Sequence, residues 1–331
     1  MGSLSFHFLS ENTLRGSGGA KPPARPAEGD GVAGREPRVT EAMRGHLAML
    51  AFSALVAGSF ALGAMMANLV DPVAFSALRF ALASLFIGIG VLAGGGVARP
   101  DAAAPWRYLL MGGLFALYFV LMFEGLKTAP PVSAAAVFTL TPVLAAGFGW
   151  LLLRQRMTGR MAAALTLGAT GALWVIFRGD PAALLRFDLG RGEAVYFLGC
   201  IAHAAYVPLV RLLNRGERAA VFTFGTLLAG TGILVLAGWG AIRATDWAAL
   251  PAIVWVTLAY TSVFATAASF VLTQYAALRL PAAKVMAYTY LTPAWVILWQ
   301  IALGHGAPSG MVVLGVLAVA GALFLLLKDE H

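Results

Sequence analysis

Residues 286–295 read MAYTYLTPAW and lie in one of the most apolar stretches of the chain. Two tyrosines, two threonines and a proline interrupt what hydropathy marks as a membrane helix. A proline in a helix interior removes a backbone donor and clashes with the preceding turn, at about 3 kcal/mol. The same phrase occurs earlier as AVFTLTPVLA, residues 136–145. Setting LKTAPPVSAAAVFTLTPVLAAGF (126–148) beside ALRLPAAKVMAYTYLTPAWVILW (277–299) places Pro130 on Pro281, Leu140 on Leu291, Thr141 on Thr292 and Pro142 on Pro293. After a one-residue shift, GATGALW (168–174) falls on AVAGALF (318–324). The chain therefore reads as a duplication, with the two Leu-Thr-Pro breaks at matching points of its halves.

Composition fixes the setting of that duplication. Of 331 residues, 60% are hydrophobic and 11% charged, against about 25% charged in a soluble domain. The apolar residues come in blocks, and a spanning helix needs roughly 20 of them. Ten segments qualify: 46–68, 73–95, 106–126, 132–153, 158–178, 192–213, 219–240, 250–277, 282–303 and 309–327. The expected fold is an all-α integral membrane protein of ten transmembrane helices. Residues 44–178 form a first five-helix repeat, 179–191 an outer connecting loop, 192–327 a second repeat and 328–331 a cytoplasmic tail. Five is odd, so the second half enters the membrane upside down, which makes the duplication an inverted repeat.

Lysine and arginine in short loops set orientation. With a cytoplasmic N-terminus, 17 basic residues fall on the cytoplasmic side and 5 on the other, with Arg79 inside a helix. Discounting the N-terminal tail leaves 11 against 5. Both termini are thus expected in the cytoplasm, at the plasma (inner) membrane. The net charge of +8 belongs to this pattern; no interleaved basic and aromatic stripe points to nucleic acid. Cys200 is the single cysteine, so neither an intrachain disulfide nor a cysteine-based metal site is expected.

Residues 1–43 differ from the rest. They are rich in Gly, Pro, Ala and charge and are expected to be a disordered N-terminal extension. No apolar core follows the early basic residues, so a signal peptide is not expected. A natural start at Met43 is one reading of the segment.

Two five-helix halves, an early Arg-Phe in the second helix (SALRFALASL, 76–85) and the A…L.P pattern in the fourth and ninth helices resemble the EamA-type drug/metabolite transporters. The likeness covers residues 44–327. It implies transport of small metabolites such as amino acids, often outward, by alternating access and in some members against protons. The chain departs from the family pattern where a glutamate is common after the fourth and ninth helices: Gln155 and His305 stand near those places.

In inverted-repeat carriers the substrate lies near the midplane, where helices are interrupted. A proline-freed carbonyl is tolerated in the membrane where it lines a cavity or is buried by neighbouring helices. The expected cavity residues are therefore Thr139, Thr141 and Pro142 in the first break and Tyr288, Tyr290, Thr292, Pro293 and Trp295 in the second. Tyr288, Thr292 and Trp295 share a helical face. Tyr118 and Tyr206 add central aromatic rings with polar ends. Thr266, Ser269 and Thr273, with Gln274 beside them, form a polar face on the eighth helix; hydrogen bonding between helices explains it equally well. Packing alone accounts for part of every one of these groups.

Ionisable groups inside a membrane are functional candidates. Arg79 and Glu124 both fall in the outer half and are expected to pair, closing that side or holding helices together, with direct substrate contact as the alternative. His203 lies mid-helix, and histidine titrates near neutral pH, so it is a candidate for proton coupling; a neutral hydrogen-bonding role is the plain alternative. Lys284 is expected to snorkel, and Trp106, Trp150, Trp239 and Trp247 to sit at the interfaces. No cofactor is implied and no metal site is expected. The partners are a small-molecule substrate and the lipid bilayer, with protons as a coupling ion and a homodimer left open.

Other function classes find little support. There is no HExxH motif, no GxSxG elbow and no aspartate inside a span for a carboxyl pair. No Walker motif occurs and no filter-like loop, so an ATP-driven pump and a channel are not expected. A non-transporting membrane partner or sensor is the remaining alternative to a secondary transporter.

Overall fold

The computed structural model describes residues 41–186, 188–277 and 287–327. The expected disordered extension up to residue 40, together with Pro281, Lys284 and the 328–331 tail, lies outside them. All described secondary structure is helical. In chain order the helices are α1 (Glu41–Met66), α2 (Pro72–Ala93), α3 (Trp106–Gly125), α4 (Pro131–Phe138), α5 (Thr141–Leu153), α6 (Gly159–Ile176) and α7 (Pro181–Arg186). There follow α8 (Arg191–Leu213), α9 (Ala219–Ala237), α10 (Trp239–Ala244), α11 (Ala252–Ser262), α12 (Ser269–Ala277), α13 (Thr292–Ala302) and α14 (Gly310–Leu327).

Among the described residues eight helical stretches are long and apolar enough to cross a membrane: α1, α2, α3, α4 with α5, α6, α8, α9 and α11 through to Thr273. They coincide with the first eight expected spans. In place of the ninth stands the eleven-residue α13; residues 282–286, expected to begin that span, are outside the described ones. The apolar α14 occupies the place of the tenth.

Local chemistry explains where the helices start. Asp71 caps α2 by accepting from the backbone N–H groups of Val73 (2.8 Å) and Ala74 (3.0 Å), with Pro72 in the first turn. Thr158 caps α6 through Met161 N–H at 3.1 Å. The outer connection expected as a loop carries α7, a six-residue helix headed by Asp180, whose Oδ1 accepts from Ala182 N–H at 2.8 Å.

The two Leu-Thr-Pro phrases produce the same local geometry. α4 ends at Phe138, Thr139 and Leu140 form a turn, and α5 restarts with Pro142 in its first turn. A 3₁₀ turn at Tyr288–Leu291 precedes α13, with Pro293 in the first turn. Leu140 and Leu291, the residues before each restart, have φ/ψ of −78°/−15° and −82°/−11°. Proline at a helix start loses no intrahelical bond, so each break turns an interior defect into a helix N-terminus. Span 250–277 is also interrupted, by a π-helical turn at Val263–Ala268.

The bundle is held by close backbone approach. A Cβ added to Gly112 on α3 would lie 2.5 Å from Gly230 N on α9, and one on Gly171 of α6 would lie 2.8 Å from Gly315 O on α14. Lipid supplies no hydrophobic drive between helices, so small residues that permit such contact carry much of the association. The largest buried cluster gathers Phe60, Phe75, Phe80, Phe123, Tyr196 and Val296; a second surrounds Met49, Leu165, Tyr290 and Val319. Leu92, Leu236 and Phe324 are 74%, 83% and 69% exposed, as side chains facing acyl chains would be. Trp106, Trp150 and Trp239 are exposed near helix ends, the arrangement expected of interfacial rings.

Candidate functional site

A cavity of about 360 Å³ lies between α1, α3, α8, α9, the π turn and α12. Phe52 and Phe115 line it from the first half of the chain; His203, Tyr206, Thr226 and Thr266 are among its lining residues from the second. It reaches Asn214 and Ala219 at the α8–α9 turn. The wall is mostly apolar with a few placed polar groups, the usual make-up of a small-molecule site.

One wall is a stack of rings. Phe115 and Tyr206 are 5.1 Å apart between centroids at an interplanar angle of 23°, and His203 lies parallel to Tyr206, at 7° and 6.2 Å. Tyr118 stacks on His203 at 4.5 Å. Behind it, the Tyr118 and Tyr196 hydroxyls are hydrogen-bonded at 3.1 Å. His203 Nδ1 is buried and has no hydrogen-bond partner among the described residues. The opposite wall is the polar face of the π turn and α12. Thr266 Oγ1 donates to Thr261 O (2.8 Å), Ser269 Oγ to Ala265 O (3.0 Å) and Thr273 Oγ1 to Ser269 O (2.8 Å). Each hydroxyl donates to its own backbone, and Thr266 Oγ1 also accepts from Arg79 on the neighbouring α2. The Gln274 side chain is outside the described ones.

Arg79 stands immediately behind Thr266. It is 1% exposed, and its Nη2 donates to Thr266 Oγ1 at 3.1 Å. The guanidinium lies over the Phe119 ring, 3.8 Å from its centroid. Among the described residues Nε and Nη1 have no hydrogen-bond partner, and both are buried. The expected ion pair with Glu124 is not formed. Glu124, near the end of α3, bonds Lys127 three residues on at 2.6 Å, and both are partly exposed. Phe119 and Phe123 are the α3 side chains that face Arg79, and Glu124, one residue beyond Phe123, is turned about 100° away from it on a helix of 3.6 residues per turn.

Most residues of the two proline breaks are buried, with Pro142 and Trp295 half-buried, and none of them lines this cavity. Tyr288 hydroxyl bonds His46 Nδ1 at 2.9 Å, and Trp295 Nε1 donates to Ser53 Oγ at 2.9 Å, both ties to α1. Tyr290 packs on Gly168 of α6. Thr139 Oγ1 bonds Ala136 O at 2.7 Å, and Thr141 and Thr292 are each 1% exposed. Pro142 and Pro293 begin their helices. Of the expected residues, the structure brings His203, Tyr206, Thr266, Ser269 and Thr273 to the cavity, with Tyr118 and Arg79 one layer behind. It adds Phe115, Phe222 and Tyr196, which sequence reasoning missed. A signal was present: Glu193, Tyr196, Cys200, His203 and Tyr206 recur at spacings of three and four along α8, one face of a helix.

Side-chain contacts tie the end of the bundle beyond Tyr118. Phe75 packs edge-on against Phe123 at 5.0 Å, and Ser133 donates to the buried Glu193 carboxylate at 2.9 Å. At the other end the α8–α9 turn is pinned. Arg107, fully buried, pairs with Glu217 at 2.7 Å and donates to Ala103 O, Ala104 O and Leu213 O at 2.8, 3.3 and 2.5 Å. Burial alone would raise the Glu217 carboxyl; hydrogen bonds from Arg107 and from Arg215 N–H outweigh it and hold the group below the usual carboxylate range. Arg218 donates to Gly94 O and Gly96 O. Among the described residues no three His, Cys, Asp or Glu side chains gather as a metal site would require.

A spanning helical bundle with an internal cavity between its halves belongs to the class of membrane carriers. The family model of the EamA-like transporter family matches residues 43–177 and again 190–328. The chain belongs to that family. It is similar to an uncharacterized transporter, YyaM, of Bacillus subtilis (strain 168), with 23% identity over 281 residues, 84% of this chain and 92% of that one. A solved crystal structure 22% identical to it superposes with a TM-score of 0.61, covering 86% of this chain and 95% of the other, and shares its fold. The protein is thus a multi-pass membrane transporter at the level of its family.

Proposed function

We infer that the chain is a secondary active exporter of small metabolites, amino acids or related compounds, working by alternating access between two inverted five-helix repeats. The observation that carries the reading is the cavity itself: space for a small molecule inside a membrane bundle, bounded by Phe52 and Phe115 from one matched segment and by His203, Tyr206 and Thr266 from the other. The matched geometry at Leu140 and Leu291 supports the repeat. With ten spans and both termini cytoplasmic at the inner membrane, the α8–α9 turn is on the cytoplasmic side. The cavity then faces inward, with the Tyr118–Tyr196 and Ser133–Glu193 contacts closing the outer path. Rocking one repeat against the other would exchange these states. His203, stacked at the cavity with Nδ1 free, is the candidate for proton coupling.

The test is counterflow in liposomes containing the purified protein, preloaded with unlabelled amino acids, with and without a pH gradient. Accumulation of label above protein-free liposomes is expected, and His203→Gln should remove its dependence on the gradient. A gradient dependence unchanged in His203→Gln would end the assignment of coupling to this residue. Absence of counterflow for every amino acid would end the substrate reading.

A further inference from the structure

Arg79 is a cation in the apolar interior with most of its hydrogen-bonding capacity unused. A guanidinium has five N–H donors, yet among the described residues Nε and Nη1 have no partner and Nη2 has one neutral hydroxyl. Among the described residues no carboxylate lies within ion-pair distance. The Phe119 face at 3.8 Å supplies a cation–π contact, but no counter-charge and no acceptor. An unpaired charge in a membrane is costly and is otherwise neutralised by a partner. Among the described residues the one hydrogen-bond partner of the guanidinium, Thr266 Oγ1, belongs to a residue of the cavity wall. Thr266 also sits in the π turn, where its hydroxyl reaches five residues back to Thr261 O. Such turns are rare and cluster at functional sites.

We propose that Arg79 is the anion anchor of the cavity and that the cargo carries a carboxylate, which replaces the Thr266 hydroxyl as acceptor of the guanidinium. The planar fork of arginine matches a carboxylate with two parallel bonds; Nη2, once the Thr266 hydroxyl is displaced, forms one of them and an unpartnered neighbour, Nε or Nη1, the other. The ring stack of Phe115, Tyr206 and His203 on the other wall holds the remainder of the molecule. Thr266, bonded back to its own helix, then acts as a shield that keeps the empty cation covered. This assignment rests on the transport reading and names the chemistry of its substrate.

The experiment compares labelled L-amino acids with their carboxamides, which keep shape and lose the anion. Two readouts run on the same full-length protein: counterflow in liposomes, and thermal stabilisation of the detergent-solubilised protein. In the wild type the acids should exchange and stabilise, and the carboxamides should do so about tenfold more weakly or less, since the site is built to bond the missing charge. Arg79→Gln should erase that discrimination, and Arg79→Lys should keep part of it. Thr266→Val, which removes the competing acceptor and leaves Arg79 in place, should tighten acid binding by about twofold or more without changing the amides; it also serves if the Arg79 variants fail to fold. Equal handling of acid and amide by the wild type, or discrimination that survives in Arg79→Gln, would overturn the proposal while leaving transport intact. Stabilisation by acids, lost in Arg79→Gln, without any counterflow would keep the anchor and overturn the transport reading. No stabilisation and no exchange by any acid would overturn both.

Discussion

Among the described residues two arginines are fully buried, and they are treated in opposite ways. Arg107, at the start of α3, is saturated: three backbone carbonyls and the Glu217 carboxylate surround it. Arg79, eight residues into α2, has one hydroxyl and the rings of Phe119 and Phe123. Arg107 ties the α3 entry to the end of α8 and to the turn into α9, so its bonds join elements far apart in sequence. Arg79 ties α2 to the π turn by a single neutral contact. Saturation is the signature of a fastener, and an unfilled cation beside a cavity is that of a site waiting for its ligand. Burial does not separate the two; the count of partners does.

The largest effect should come from breaking the fastener. Arg107→Ala leaves Glu217 buried without its partner and frees three carbonyls. Losing one member of a buried ion pair costs about 3–5 kcal/mol, so a steep fall in thermal midpoint of the solubilised protein is expected. A midpoint close to wild type would show that the α8–α9 turn is held by something else, Arg218 being the first alternative through its bonds to Gly94 and Gly96.

The carboxylate side of the same clamp gives a smaller effect with a pH signature. The folded state holds Glu217 below its ordinary value, near 4.3 in an unfolded chain. The stability it contributes is therefore present above that value and is lost as pH falls through the lower folded one. The thermal midpoint should drop on acidification from roughly pH 6 to pH 3. Glu217→Gln should remove that component at a cost of about 1–3 kcal/mol at neutral pH. An identical acid profile in wild type and variant would assign the pH dependence to other carboxylates.

How much of this was legible beforehand differs between fold and site. The spans were readable because each is a block of apolar residues of the right length, and the Leu-Thr-Pro repeat was readable because proline leaves the same mark wherever it falls. The cavity was less so. The proline breaks drew attention to Tyr288, Tyr290 and Trp295, yet these side chains turn to α1 and α6 and fill helix contacts. Sequence spacing tells which residues share a face but not which neighbour that face meets. The Arg79–Glu124 pairing failed for that reason: depth in the membrane was right for both, and the azimuth around α3 was not available. Arg107, counted as a loop charge, proved to be buried because its partner Glu217 is 110 residues away.

The aromatic support of Arg79 should contribute less than the clamp. Phe119→Leu keeps most of the apolar volume and removes the ring face. A double-mutant cycle with Arg79→Gln should return a coupling of about 0.5–2 kcal/mol, the range of a desolvated cation–π contact. A coupling near zero would mean that Phe119 is packing alone and that Arg79 is held by other means.

The smallest stability effect should belong to Arg79→Gln, within about 1 kcal/mol of wild type in either direction. The substitution removes a charge that no carboxylate compensates, and a neutral amide costs less to bury than an unpaired cation. Against that stands the loss of the Thr266 bond and of the Phe119 contact. The two nearly offset one another, so this variant should fold and insert while Arg107→Ala struggles to do so. Thermal midpoints of both variants in one detergent decide the matter. If Arg79→Gln falls as far as Arg107→Ala, Arg79 is a second fastener and the contrast between the two arginines collapses. If it stays near wild type, the cation contributes little to the empty protein, and its place beside the cavity is explained by what the cavity receives.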